Sequence, residues 1–343
     1  MLMITLFVGA VALAVQAASP HGYPGWVYDE AHTIATVDGR DLSFYLDRPE
    51  TGEPAPLLLM VDGSSCVGQL RPGWRELYRP GPDQPEAFAR LMVEKPGVEP
   101  EAGHGADCSQ DYLRHYTIDN RVFDHLRVLQ HLRADADWWN GELLIWGWSD
   151  GGDIASQIVA YYPDVTRAVL GAMGGGYTMA EHFENFWICS EDQISDPDER
   201  AACIDDLRSL FQQMADNPTW QDTWSGPDNS WRLWTTRLHS RLVHVLQDNT
   251  TPILIVHGAE DYDSTPVASA RVLVESLEAV GNTHFEYWEI ACMGHGWSGL
   301  PAAQASGLEA GMLDWLLGQS VAEDGPPRFA QSEGAPCPAL EPG

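Results

Sequence analysis

Apolar residues along this chain fall into two patterns, short unbroken runs and longer stretches at helical spacing. The run Leu57-Leu58-Leu59-Met60-Val61 is introduced by Pro54 and Pro56 and closed by Asp62-Gly63. A run without alternation is what a strand buried on both faces requires. Residues 89–94, 143–146, 168–172, 252–256 and 285–290 read as further strands. Residues 26–36 and 42–46 read as a hairpin joined at Asp38-Gly39. Between them, Ile118, Val122, Leu126, Leu129 and Leu132 recur every three or four residues, as on one face of a helix. Residues 154–161, the set Ala270, Leu273, Val274 and Leu277, and residues 308–317 read as helices on the same grounds.

Strands alternating with helices predict an α/β fold with a mostly parallel central sheet covered on both faces. The alternation lapses over 177–247, where no strand pattern occurs and Asp-Pro, Asn-Pro and Gly-Pro breaks punctuate the chain. This stretch reads as a helical cap inserted into a core formed by 19–176 and 248–317. Its tryptophans, Trp187, Trp220, Trp224, Trp231 and Trp234, have two readings. They roof a pocket for an apolar or aromatic group, or they pack the cap itself. Residues 318–343 are polar and proline-rich and read as a loose tail tethered through Cys337.

A length of 343 residues suits one large domain with an insertion. Residues 1–18 are apolar and small and end in Val15-Gln16-Ala17, which reads as a secretory signal peptide. No Lys or Arg precedes the apolar core, so an uncleaved N-terminal anchor is the alternative. No later stretch reaches the roughly 20 apolar residues of a membrane span. Net charge is −31, and Lys95 is the one lysine. A surface this acidic repels nucleic acid and anionic membranes. Cys66, Cys108, Cys189, Cys203, Cys292 and Cys337 lie outside any C-x-x-C spacing. That argues against zinc, and the even count in an exported chain argues for disulfides. Proximity and the expected layout favour Cys66–Cys108, Cys189–Cys203 and Cys292–Cys337; the alternative is that some are free and buried.

The chemistry gathers at strand ends. Gly147-Trp148-Ser149-Asp150-Gly151-Gly152 joins the run 143–146 to the helix 154–161. A serine on such a turn projects its Oγ above the sheet, and flanking glycines avoid collision with the neighbouring strand and helix. His295, between Gly294 and Gly296 after the last strand, is the best candidate base for that serine. His257 directly precedes a glycine turn and reads as a loop anchor. Glu94 and Lys95 end a strand near the same edge, with a structural role favoured.

These residues resemble the α/β-hydrolase superfamily over roughly 25–317, through the Ser149 turn, through His257-Gly258-Ala259-Glu260-Asp261 and through Gly294-His295-Gly296. The order serine, acid, histidine is that superfamily's. The Ser149 turn is also similar to that of hydrolases cleaving amino-acid esters, and His-Gly-x-x-Asp is similar to prolyl-oligopeptidase-like enzymes. The resemblance implies Ser149 as nucleophile, His295 as base and Asp261 as the acid that orients it, with Asp263 and Glu260 as rivals. Related enzymes often carry a proline four residues after the acid, whereas Pro266 here is five after Asp261 and three after Asp263. The oxyanion donors are expected to be the backbone N–H of Asp150 and that of Ser64, with Ser65 second. No metal or organic cofactor is implied. The expected activity is exported ester hydrolysis through an acyl-enzyme, acting on a small-molecule ester or, alternatively, as a serine peptidase or aminoacyl amidase on a short peptide. The contrasting class is a non-catalytic binding protein on the same fold.

Overall fold

The computed structural model describes residues 26–50, 54–80, 88–319 and 337. The expected signal peptide, and the tail apart from Gly318, Gln319 and Cys337, lie outside them. Among the described residues, eight strands form one sheet: β1 (Trp26–Ala35), β2 (Asp41–Pro49), β3 (Ala55–Val61), β4 (Ala89–Val93), β5 (Trp139–Trp148), β6 (Val165–Gly171), β7 (Ile253–Gly258) and β8 (Phe285–Ile290). Their order is β1-β2-β4-β3-β5-β6-β7-β8. β1 and β2 pair antiparallel, as do β2 and β4, and every later pair is parallel. The chain steps from β3 to β4 on one side and then returns to place β5 on the other side of β3. Ligands in open α/β sheets bind beyond the carboxyl ends of strands at such a reversal.

The unbroken apolar runs are explained by burial on both faces. Along β3, Leu57, Leu59 and Val61 enter one core while Leu58 and Met60 enter the other. Along β5, Leu143 and Ile145 share the first core, and Leu144, Trp146 and Trp148 the second. This is the two-residue period of a strand. The first core is closed by α2 (Ile118–Asp135), α3 (Asp150–Tyr161) and α8 (Val267–Ala279), the second by α9 (Ala302–Leu316). One charged residue interrupts the apolar β4: Arg90 is fully buried and its Nε–H donates to Asp47, its register partner on β2, at 2.9 Å. Removing either partner would strand a buried charge.

α1 (Gln110–His115) was not foreseen; it is six residues long, too short to leave a periodic apolar signal. Between β6 and β7 lie α4 (Met179–His182), a π-helical turn (Phe183–Trp187), α5 (Pro197–Asp216), α6 (Trp231–Arg237) and α7 (Leu242–Leu246). Phe183, Phe211 and Trp234 form a separate apolar cluster here, against which Trp187, Trp224 and Trp231 pack. Disulfides join Cys66 to Cys108, Cys189 to Cys203 and Cys292 to Cys337. Three disulfides fit a chain that matures in an oxidising compartment. No helix among the described residues is long and apolar enough to cross a membrane.

Candidate active site

Ser149 stands between β5 and α3 with φ 59° and ψ −126°. This is a strained conformation for a residue with a side chain. It is held because the turn is packed solid. A Cβ at Gly147 would lie 2.3 Å from the Gly151 carbonyl oxygen, and one at Gly151 would lie 2.0 Å from that of Val61. Both glycines are therefore required for β3, β5 and α3 to approach, as their spacing in the sequence suggests.

Three loops converge on this serine. His295 follows β8, and its Nε2 lies 2.9 Å from Ser149 Oγ, placed to accept the hydroxyl proton. Its Nδ1 lies 2.8 Å from Asp261 Oδ2, placed to donate to that carboxylate. Asp261 follows β7, is 2% exposed, and accepts the Thr265 N–H at its other oxygen at 3.0 Å. Asp263 and Glu260 are exposed. Of the three candidate acids, Asp261 is the one hydrogen-bonded to His295.

His257 is a loop anchor. It is fully buried, and its Nε2–H donates to the Thr265 carbonyl at 2.9 Å. Burial lowers its pKa, which keeps the ring neutral, and the carbonyl partner fixes the proton on Nε2. The bend toward His295 does not rest on left-handed backbone at the two glycines that flank it. Gly294 and Gly296 do not adopt positive φ; Cys292 does, at 64°. A Cβ on Gly258 would fall 2.2 Å from the Met293 carbonyl oxygen, so the bare end of β7 is what lets the His295 loop close in.

The turn after β3 borders the serine from the other side. A Cβ on Gly63 would be 3.8 Å from Ser149 Oγ. Ser64 and Ser65 line the same cavity as Ser149 and His295. This turn is secured from below by Lys95, which is fully buried at the end of β4. Its ammonium donates to Asp62 Oδ2 at 3.0 Å, to the Ser65 carbonyl at 2.8 Å and to the Ser64 carbonyl at 3.3 Å. Arg71 adds two bonds to Asp62, at 2.8 and 2.9 Å. Burial alone would raise the Asp62 carboxyl, but the charges of Lys95 and Arg71 outweigh it and hold the pKa below the usual carboxylate range. Burial pulls the Lys95 ammonium down, against Asp62. The structural role that its place at a strand end favours for Lys95 is this one; its three acceptors come from a turn thirty residues away.

Asp150, the residue after the serine, turns its carboxylate away from the cavity. Arg237 of α6 pairs with one oxygen, and Tyr116 Oη donates to the other at 3.2 Å. Nothing local in the sequence signals the Arg237 contact. The cavity beside Ser149 measures about 630 Å³ and is walled by Trp74, Trp146, Trp148 and Trp297. None of the five tryptophans of 177–247 is among its walls; of the two readings, Trp187, Trp224, Trp231 and Trp234 take the second and pack the inserted segment itself. Among the described residues, no group of three or more His, Cys, Asp or Glu side chains is placed to hold a metal ion.

No protein-family model matches the sequence, and no curated protein matches it. Solved structures do match in shape. Est1E from Butyrivibrio proteoclasticus is 14% identical with a TM-score of 0.52, over 84% of this chain and 99% of that one. An esterase from Pyrococcus furiosus is 13% identical with a TM-score of 0.52, over 85% of this chain and 92% of that one. A Bacteroides ovatus protein described as a dipeptidyl aminopeptidase IV is 14% identical with a TM-score of 0.52, over 84% of this chain but 35% of that one. At these identities the likeness is one of fold.

Proposed function

We propose that this chain, which has the α/β-hydrolase fold by its sheet topology and its structural relatives, is an exported serine hydrolase that cleaves carboxylic esters. The single observation that carries the reading is the unbroken relay Ser149 Oγ, His295 Nε2, His295 Nδ1 and Asp261 Oδ2, with links of 2.9 and 2.8 Å. A serine hydroxyl is weakly nucleophilic until a base within hydrogen-bond reach takes its proton.

In the proposed reaction Ser149 Oγ attacks the ester carbonyl carbon as its proton passes to His295 Nε2. The imidazolium that forms is stabilised by Asp261, which also holds the ring in the tautomer with Nδ1 protonated. The carbonyl oxygen becomes an oxyanion facing the N–H of Asp150 and an N–H of the turn after β3, that of Ser64 in first place and Ser65 in second. Collapse expels the alcohol, which takes the proton from His295 and leaves the acyl group on Ser149. Water then attacks that acyl-enzyme as His295 again accepts a proton, which passes to Ser149 Oγ when the carboxylic acid leaves, restoring the hydroxyl. The positive φ of Ser149 and the Asp150 carboxylate turned toward Arg237 support this assignment. They expose the hydroxyl and keep a negative charge from facing the oxyanion.

Fluorophosphonate labelling of the mature protein, with the modified peptide located by mass spectrometry, tests the reading. Label is expected on Ser149, and none after Ser149→Ala. Turnover of short-chain esters is expected to fall by roughly 10⁴-fold or more in Ser149→Ala, His295→Ala and Asp261→Asn. Asp263→Asn is expected to stay within a few-fold of wild type. Folded, disulfide-intact protein that takes no label would point instead to a binding role. Faster turnover of aminoacyl amides than of the matching esters would point to a peptidase.

A further inference from the structure

Four indoles share the cavity at Ser149, and their placement follows from the fold. Trp146 and Trp148 are two residues apart on β5 and so project to the same face, where their rings stack at 5.5 Å between centroids and 16° between planes. Trp297, two residues beyond His295, leans on Trp148 at 4.7 Å. Trp74, from the segment after β3, closes on Trp146 at 5.6 Å. The result is a continuous aromatic wall in the order Trp74, Trp146, Trp148, Trp297, whose last two members lie next to Ser149 and close to His295 in the chain. Its volume of about 630 Å³ is that of a small-molecule site.

We infer that this cavity binds a planar aromatic ring carried on one side of the scissile bond, so that the substrates are aromatic esters. The inference rests on Ser149 acting as nucleophile. An aliphatic chain needs only apolar walls, which leucine and isoleucine provide without loss. Indole rings carry a negative face and a positive edge, and they favour an aromatic partner in offset-stacked or edge-to-face contact over a saturated group of equal bulk. The cavity's volume leaves space for one ring beside Trp297 or beside Trp74, whose ring also carries the Arg71 guanidinium over it, while the ester carbonyl stays at Ser149, because all three residues line the same space. The ring could sit in the acyl half or in the alcohol half; both present the same face to the wall.

Matched ester pairs separate these cases. Ethyl 3-phenylpropanoate against ethyl 3-cyclohexylpropanoate probes the acyl half, and 2-phenylethyl acetate against 2-cyclohexylethyl acetate the alcohol half. In at least one pair the aromatic ester is expected to have the higher kcat/KM, by about 3- to 10-fold for one or two ring contacts. The pair that discriminates identifies the half that carries the ring. The preference is expected to shrink toward unity in Trp297→Leu and in Trp74→Leu, each judged folded by circular dichroism. Equal kcat/KM within both pairs would overturn the inference, as would a preference unchanged in both variants. If Ser149 takes fluorophosphonate and esters turn over without ring preference, the aromatic site fails while the hydrolase reading stands. If Ser149 takes no label, both fail.

Discussion

The carboxyl groups around Ser149 are held in different charge states by what surrounds each. Asp62 is kept ionised by Lys95 and Arg71 despite its burial. Glu94 is pushed up to about 7 by burial, although the backbone N–H groups of Lys95 and Gln69 oppose the shift. Asp153 is pushed up to about 8, first by burial and then by the neighbouring Asp150 carboxylate, with Arg237 working against both. For Asp153 the folded-state pKa exceeds its ordinary value of 3.8. Folding then takes up a proton between these values. The stability linked to that proton is complete below the ordinary pKa and is lost as pH rises through about 8. Asp153→Asn removes this dependence. Its Tm relative to wild type is expected to climb as pH rises from 4 to about 8, as followed by thermal unfolding at a series of pH values; a constant offset would refute the assignment. Asp261 and Asp263 are two residues apart on one loop; Asp261 is distinguished by its burial and by the hydrogen bonds it accepts from Thr265 and His295.

At the scale of elements, the contact that the chain order conceals is α6 against α3. Arg237 ends α6, and Asp150 begins α3 next to the proposed nucleophile. Their ion pair is buried, so losing the cation leaves an uncompensated carboxylate on the very residue whose N–H is the proposed oxyanion donor. Arg237→Met is expected to cost about 3–5 kcal/mol of stability and to lower kcat/KM for esters. Asp150→Asn in the same chain is expected to recover much of both losses, because it removes the stranded charge. A double-mutant cycle on Tm and kcat/KM measures that coupling, and strictly additive effects would refute it. The eight strands themselves were legible as runs and alternations, since their periodicity depends on neighbours in sequence. α1 was not, and neither was the identity of the walls around the cavity. Trp74, Trp146, Trp148 and Trp297 come from three separate segments, whereas the cluster of tryptophans visible in 177–247 packs on itself.

For the molecule as a whole, a net charge of −31 is a standing source of self-repulsion. Much of it lies on exposed side chains, which salt screens. Tm is expected to rise when NaCl is increased from about 0.1 M to about 1 M, as the screening length falls from about 10 Å to about 3 Å. A Tm that is flat or falling over that range would show that surface repulsion is not a significant part of the balance. Near the proposed site the two buried cations Lys95 and Arg71 both pair with Asp62.

The sequence alone determined the class of fold, the Ser149 turn and the identity of His295 as its candidate base. It did so because each depends on local pattern: strand and helix periods, glycines at fixed offsets, and a histidine in a turn after the last strand. The pairing of Cys66 with Cys108, Cys189 with Cys203 and Cys292 with Cys337 was also approachable from proximity along the chain. Tertiary structure alone decided that Asp261 rather than Asp263 meets His295, that Lys95 secures the turn of Ser64 and Ser65, that Arg237 holds the Asp150 side chain away, and which indoles wall the cavity. Those are contacts between segments brought together by the sheet order, and that order is set by packing across the whole molecule, which no local spacing encodes.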